Sequence, residues 1–131
     1  MSPSEELRLL KSVLEQLPGN VYWKNKEGKF LGCNNNTAKI FNARPDDLIN
    51  LTDYELMPID MARKLELNNQ LVMSTGKELI LEEDGIDKNH MPARYLSYKS
   101  PLKDELGCII GIIGTSLNIE PVNLCFSWYF S

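Results

Sequence analysis

The chain has 131 residues, a length suited to one domain whose core needs no disulfide or metal staple. Lys and Arg number 14 against 18 Asp and Glu, a formal charge of −4, and the basic residues form no cluster, which argues against a nucleic-acid partner. The three cysteines, Cys33, Cys108 and Cys125, are odd in number and lack metal-ligand spacing, so free thiols in a reducing cytoplasmic setting are expected and no metal site is.

The N-terminus lacks the basic-then-apolar pattern of a signal peptide, and no apolar run approaches 18 residues, so this stretch is not expected to enter a membrane. Residues 2–16 read as a helix, with Ser4 as its cap and Glu5 and Glu6 in a first turn that favours negative charge. Leu7, Leu10, Leu14 and Leu17 recur at alternating three- and four-residue spacing, the pattern of a helix seam. Two heptads leave two readings open: the seam packs on its own domain, or it pairs with a second copy in a homodimer. Pro18-Gly19 ends the helix.

The stretch from Asn20 to Asn34 organises the rest of the chain. Val21 to Lys24 and Phe30 to Cys33 suit two short strands, and the polar segment Asn25 to Gly28 makes the tight turn between them. Asn34 offers a side-chain oxygen to a helix running to Phe41. Pro45 sits at a tolerated first-turn position of another helical turn, and Thr52 with Glu55 fits a capping box for a third. Asp60 is read as the cap of the longest helix, residues 61–74, with Ala62, Leu65, Asn69, Val72 and Met73 on one face and Gly76 as its stop. The remainder is β: residues 78–83, a loop at 84–91, residues 94–102, and residues 108–119. The last segment, CIIGIIGTSLNI, carries isoleucines at both parities, so both of its faces require cover.

Two strands, a helical insertion and three antiparallel strands make an α+β order around one five-stranded sheet. The residues LPGNVYWKNKEGKFLGCN, AKIF, DDLIN, TDYELMP, VMSTGK, LEE, YLSYKSPLKDELG and IIGIIGTSLNI occur in the order found in PAS domains. The chain thus resembles the PAS family from about Leu7 to Glu120, and most of all the PAS modules of bacterial sensor histidine kinases. That resemblance implies strand order 2-1-5-4-3, a flanking helix over residues 1–19 and a PAS domain over 20–120; the apolar tail over 121–131 departs from the family, whose kinase members normally continue into a charged helical linker. The resemblance also implies a sensory domain in a two-component system, catalytically silent and relaying to an attached or associated kinase. Asn118-Ile119-Glu120 stand where many relatives carry Asp-Ile-Thr before the next domain.

The cofactor classes of the family divide by residue. Haem-binding members place a His on the long helix, which has none here, and His90 falls in the polar loop DGIDKNHM. Flavin photoreceptors carry Asn-Cys-Arg on a small helix, a motif absent from this chain. Neither haem nor photochemical flavin is expected. The resemblance turns Tyr22 and Lys24 inward from the first strand, Tyr95, Ser97 and Lys99 from the fourth, and Ile109, Gly111 and Ile113 from the fifth. Two readings of that lining stand side by side. A small anionic metabolite is held by the lysines, or Asp53, Glu82 or Glu83 pairs with them and the domain is a ligand-free interaction module with an occluded core. Trp23, Leu96 and Tyr98 fall on the opposite face and would join the leucine seam in a dimer interface. A catalytic role lacks support: there is one His, and no GxSxG, P-loop or HExxH pattern.

Overall fold

The computed structural model describes residues 1–119; the apolar tail, with Cys125, lies outside the described residues. In chain order the elements are α1 (Pro3–Gln16), β1 (Asn20–Asn25), β2 (Phe30–Cys33), α2 (Asn35–Ile40), α3 (Pro45–Leu48), α4 (Asp53–Leu56), α5 (Ile59–Thr75), β3 (Leu79–Ile86), β4 (Pro92–Lys103) and β5 (Ile109–Asn118). The strands form one antiparallel sheet in the order β2-β1-β5-β4-β3, as expected, with β5 at its centre.

Side-chain chemistry fixes the joints. Asn25 Oδ1 accepts from the amides of Glu27 (3.0 Å) and Lys29 (2.9 Å) and so shapes the β1–β2 turn. Asn34 caps α2 by accepting from Thr37 N at 3.0 Å, and the same oxygen accepts from Val21 N at 3.1 Å, tying the helix start to β1. Thr52 and Glu55 form the expected capping box.

Several boundaries differ from the sequence reading. Ser2, not Ser4, caps α1, because Pro3 takes the first helical position and places the cap one residue ahead of itself. Helix α5 begins at Ile59 with Pro58 as its cap, leaving Asp60 inside the first turn. Strand β3 continues through Asp84, Gly85 and Ile86, which pair without a break with Arg94, Ala93 and Pro92; the ring of Tyr95 lies over Gly85. Cys108 precedes β5 rather than lying on it.

The register separates two faces. Tyr22 pairs with Gly114, Lys24 with Ile112, Ser97 with Ser116 and Lys99 with Gly114, so these residues share the helix-covered face. At Gly111 and Ile113 the expectation for β5 is one residue out of phase, whereas Ile109, beyond a register irregularity at Leu102/Lys103, lies against the α5 C-cap at Gly76. Ile113 pairs with Trp23 on the outer face, and Ile112, 1 % exposed, is the isoleucine turned inward. Isoleucines at both parities give the sequence no phase to read.

Packing is uneven across the inner face. Phe30, Cys33, Ala38 and Leu48 form an apolar cluster under α2 and α3, flanked by Tyr22, Phe41, Leu51 and Leu56. Under α5 the buried helix residues are Ala62, Asn69 and Val72, and what faces Asn69 is charged. Helix α1 buries no residue: Leu7, Leu10 and Leu17 are exposed and Leu14 is half-buried. It is anchored by Glu15, whose carboxylate accepts from Asn35 N at 2.9 and 3.1 Å. The leading helix therefore does not cover its own sheet, and Leu96 and Leu117 on the outer face remain exposed.

Candidate functional site

Between the inner face and helices α2, α4 and α5 lies a cavity of about 80 Å³. Strand alternation aims Tyr22 and Lys24 of β1, Tyr95, Ser97 and Lys99 of β4, and Ser116 of β5 into it, while Asp53 of α4 and Glu83 of β3 close it from the sides. Tyr22 reaches across β5 because residue 114 is glycine. A Cβ there would stand 2.3 Å from Tyr22 Cζ.

Both lysines are removed from water and paired. Lys24, 3 % exposed, donates to Asp53 Oδ2 at 2.7 Å, and its Nζ lies 4.6 Å from the Phe30 ring centroid and 5.2 Å from that of Tyr22. Lys99, 1 % exposed, lies 2.9 Å from Glu83 Oε2 and donates to Asn69 Oδ1 at 2.8 Å. Asn68 donates to the same Glu83 oxygen at 2.8 Å. Burial lowers the Lys99 pKa, and the Glu83 carboxylate acts against that shift. Burial raises the Tyr22 pKa, and the charges of Glu83 and Asp53 raise it further, so this phenol is neutral at physiological pH.

Of the two arrangements expected at the lysines, the one present is closure by carboxylates, with Asp53 and Glu83 as the partners. Glu82 is not among them; it points outward and pairs with Arg94 at 3.0 Å. Lys24 does not snorkel to solvent. The site therefore gathers Tyr22, Lys24, Asp53, Tyr95, Ser97 and Lys99, and leaves out Ile113.

A second polar cluster lies toward the start of β1. Asn20 Nδ2 donates to Ser116 Oγ at 3.0 Å, and Asn36 Nδ2 donates to Asn20 Oδ1 at 2.9 Å. The Tyr95 hydroxyl donates to Ile86 O at 2.7 Å. The hydroxyls of Tyr22 and Ser97 have no hydrogen-bond partner among the described residues, although Ser97 is 2 % exposed; both residues line the cavity. Sequence reasoning passes over Asn20, Asn68 and Ser116. Asn69 does carry a signal, an amide on the buried stripe of an otherwise amphipathic helix.

Three acidic, His or Cys residues placed to hold a metal ion do not occur together among the described residues. His90 is exposed in the β3–β4 turn, 3.3 Å from Asn42 Nδ2. Cys33 is buried and Cys108 exposed, and neither is in a disulfide. No described helix is long and apolar enough to cross a membrane. On the outer face, Leu17, Val21, Ile80, Leu96, Tyr98 and Leu117 line a groove of about 320 Å³, and Trp23 lies on that same face.

A five-stranded antiparallel sheet covered on one face by helices, with a cavity between them, is the architecture of a PAS-like domain. The model of the PAS fold family matches residues 14–121, and the chain belongs to that family. It is 29% identical over 121 residues to a diguanylate cyclase of Vibrio cholerae, covering 91% of this chain and 38% of that protein. It is 25% identical over 119 residues to the virulence sensor protein BvgS of Bordetella bronchiseptica, covering 88% of this chain and 10% of that protein. The chain thus spans well under half the length of either relative. Among solved structures it is similar to VqmA bound to DPO, with a TM-score of 0.77 at 22% identity, covering 88% of this chain and 58% of that one. A Vibrio cholerae VqmA dimer gives a TM-score of 0.76 at 22% identity, covering 91% and 52%. Its relatives are signalling proteins, and the fold is a non-catalytic one.

Proposed function

We propose that this chain is the cytoplasmic input domain of a signalling protein, taking a small uncharged molecule into the helix–sheet cavity. The observation that carries this reading is the pairing of both cavity lysines. With Lys24 held by Asp53 and Lys99 by Glu83, the lining has little charge left for an anion, while the hydroxyls of Tyr22 and Ser97 have no hydrogen-bond partner among the described residues. An anionic metabolite would have to displace a buried carboxylate from its lysine, which costs several kcal/mol. The likeness to VqmA is one of fold and assigns no ligand here.

The output passes through α1, whose apolar stripe is exposed and whose Glu15 grips the start of α2 next to the sheet. A second copy paired along that stripe makes the working unit a homodimer. The effector is a catalytic domain attached to or associated with the dimer. A histidine kinase fits the resemblance, and a diguanylate cyclase fits the relative matched over 91% of this chain.

A ligand-free interaction module is the second reading, favoured by size. The cavity is about 80 Å³, whereas roughly 150 Å³ of apolar cavity accepts benzene. Thermal-shift screening against neutral and anionic metabolites separates the two. A neutral compound raising the melting temperature is the expected result, and no shift with any compound leaves the interaction module.

A further inference from the structure

We propose that Ser97, Ser116 and Tyr22 form a hydrogen-bond-donating pole that selects, if the domain is the sensor proposed for it, an uncharged ligand carrying a carbonyl or similar acceptor oxygen. Ser97 and Ser116 are cross-strand partners on β4 and β5, so their hydroxyls stand side by side on the inner face. The Ser116 oxygen already accepts from Asn20 Nδ2 at 3.0 Å, which leaves its own proton to be donated. Asn20 is fixed in that orientation because its Oδ1 accepts from Asn36. Ser97 is 2 % exposed, and its hydroxyl has no partner among the described residues.

Tyr22 completes the set. Its ring passes over Gly114, two residues along β5 from Ser116, and its hydroxyl comes within 2.5 Å of where a residue-114 Cβ would stand. Burial beside Glu83 and Asp53 keeps it protonated, so it too has a proton to give. Three O–H groups thus face the cavity from neighbouring positions on β1, β4 and β5. The carboxylates that would be natural acceptors, Asp53 and Glu83, are already engaged by Lys24 and Lys99. A ligand that drives water from the cavity leaves these hydroxyls unsatisfied unless it brings an acceptor, and one oxygen placed among the three serves them together.

This chemistry discriminates in two directions. A hydrocarbon of the same shape would leave the hydroxyls unsatisfied. A carboxylate would bring a charge next to Asp53 and Glu83, both already engaged, and meet repulsion. A small amide or lactam, neutral and rich in acceptor capacity, fits both conditions.

The test is isothermal calorimetry and thermal shift on the full chain with 2-pyrrolidone, cyclopentanol, cyclopentane and acetate as probes. The expected order puts 2-pyrrolidone first, and acetate does not bind at all. Ser97→Ala and Tyr22→Phe should each weaken 2-pyrrolidone binding roughly three- to tenfold, the loss of one neutral hydrogen bond, with the apo melting temperature held or raised. Ser116→Ala gives a check that does not depend on Ser97, and circular dichroism verifies each fold. Cyclopentane binding as well as 2-pyrrolidone, or 2-pyrrolidone affinity unchanged in all three variants, overturns the donor pole while the sensory role stands. Acetate binding in preference overturns both the pole and the neutral-ligand reading. Failure of every probe to bind wild-type protein overturns the pole and sides with the ligand-free module.

Discussion

At Lys99 an ammonium group lies almost wholly out of water, and what makes this tolerable is the hydrogen-bond set around it: Glu83 at 2.9 Å and Asn69 at 2.8 Å. Lys99→Met keeps the stem and deletes the charge, stranding the Glu83 carboxylate. The expected loss is about 3–5 kcal/mol of unfolding free energy by urea denaturation. Adding Glu83→Gln should restore most of it, since the pair and not either member is what the fold tolerates. An unchanged midpoint in Lys99→Met would show that the pair contributes nothing. Cys33 offers a titration of the apolar cluster. Burial first, and then the Glu15 charge, push its thiol up to about 11 from an ordinary 9.0. Above pH 9 the unfolded chain loses that proton while the folded one keeps it, so the unfolded state binds fewer protons and stability falls as pH rises. The contribution is intact below pH 9 and lost as pH climbs through about 11. Solvent screening trims the drop to on the order of 1–2 kcal/mol. Cys33→Val should flatten the wild-type slope between pH 9 and 10, where Tyr22 and Lys99 act equally in both proteins. Equal slopes would mean that the thiol is not insulated.

Element by element, what the sequence discloses depends on whether the signal is local. The β1–β2 hairpin, the Asn34 cap and the Thr52–Glu55 box are settled by neighbours in the chain, and all three are legible there. The start of α5 is not, since Pro58 and Asp60 both make reasonable first-turn residues and only packing decides between them. The phase of β5 is hidden for a different reason. Its isoleucines fill both parities, so its orientation is set by pairing with β1 and β4, the pairs Tyr22–Gly114 and Lys99–Gly114 most of all. On β4, where Tyr95, Ser97 and Lys99 alternate with exposed Arg94 and Leu96, the inward set can be placed correctly. Which carboxylates meet the lysines is open in the sequence, because Glu82 and Glu83 are neighbours with opposite directions on one strand. Pairing of β3 with β4 sends Glu83 inward and Glu82 out to Arg94.

For the molecule as a whole, the unusual feature is an amphipathic helix with a bare leucine stripe whose end, at Leu17 and Pro18, borders an apolar groove on the sheet, neither surface covered by another element among the described residues. Leu7, Leu10 and Leu17 of α1 and its cap, and Leu96 and Leu117 of the sheet, are all exposed. Exposed apolar surface of this kind is what an interaction site presents. Two copies related by a twofold axis would bury both surfaces in one isologous interface. Leu10→Glu places a charge in the seam, and sedimentation velocity should show the wild type as a dimer and this variant as a monomer with an unchanged circular dichroism spectrum. A wild type that remains monomeric at high micromolar concentration would rule out the homodimer as the working unit.

The two buried ion pairs have a consequence for how such a domain changes over generations. Replacing Lys24, Asp53, Lys99 or Glu83 alone leaves an unpaired charge inside, whereas replacing a pair with apolar residues of similar volume is often neutral. A lineage that altered the chemistry of this cavity would have to cross a poorly folding intermediate or change two distant positions nearly at once. Residues 24 and 53, and residues 83 and 99, should therefore vary together among relatives, as two separate couplets. Drift in ligand preference would be easiest at the cavity hydroxyls, where single steps at 97 or 116 cost the fold little.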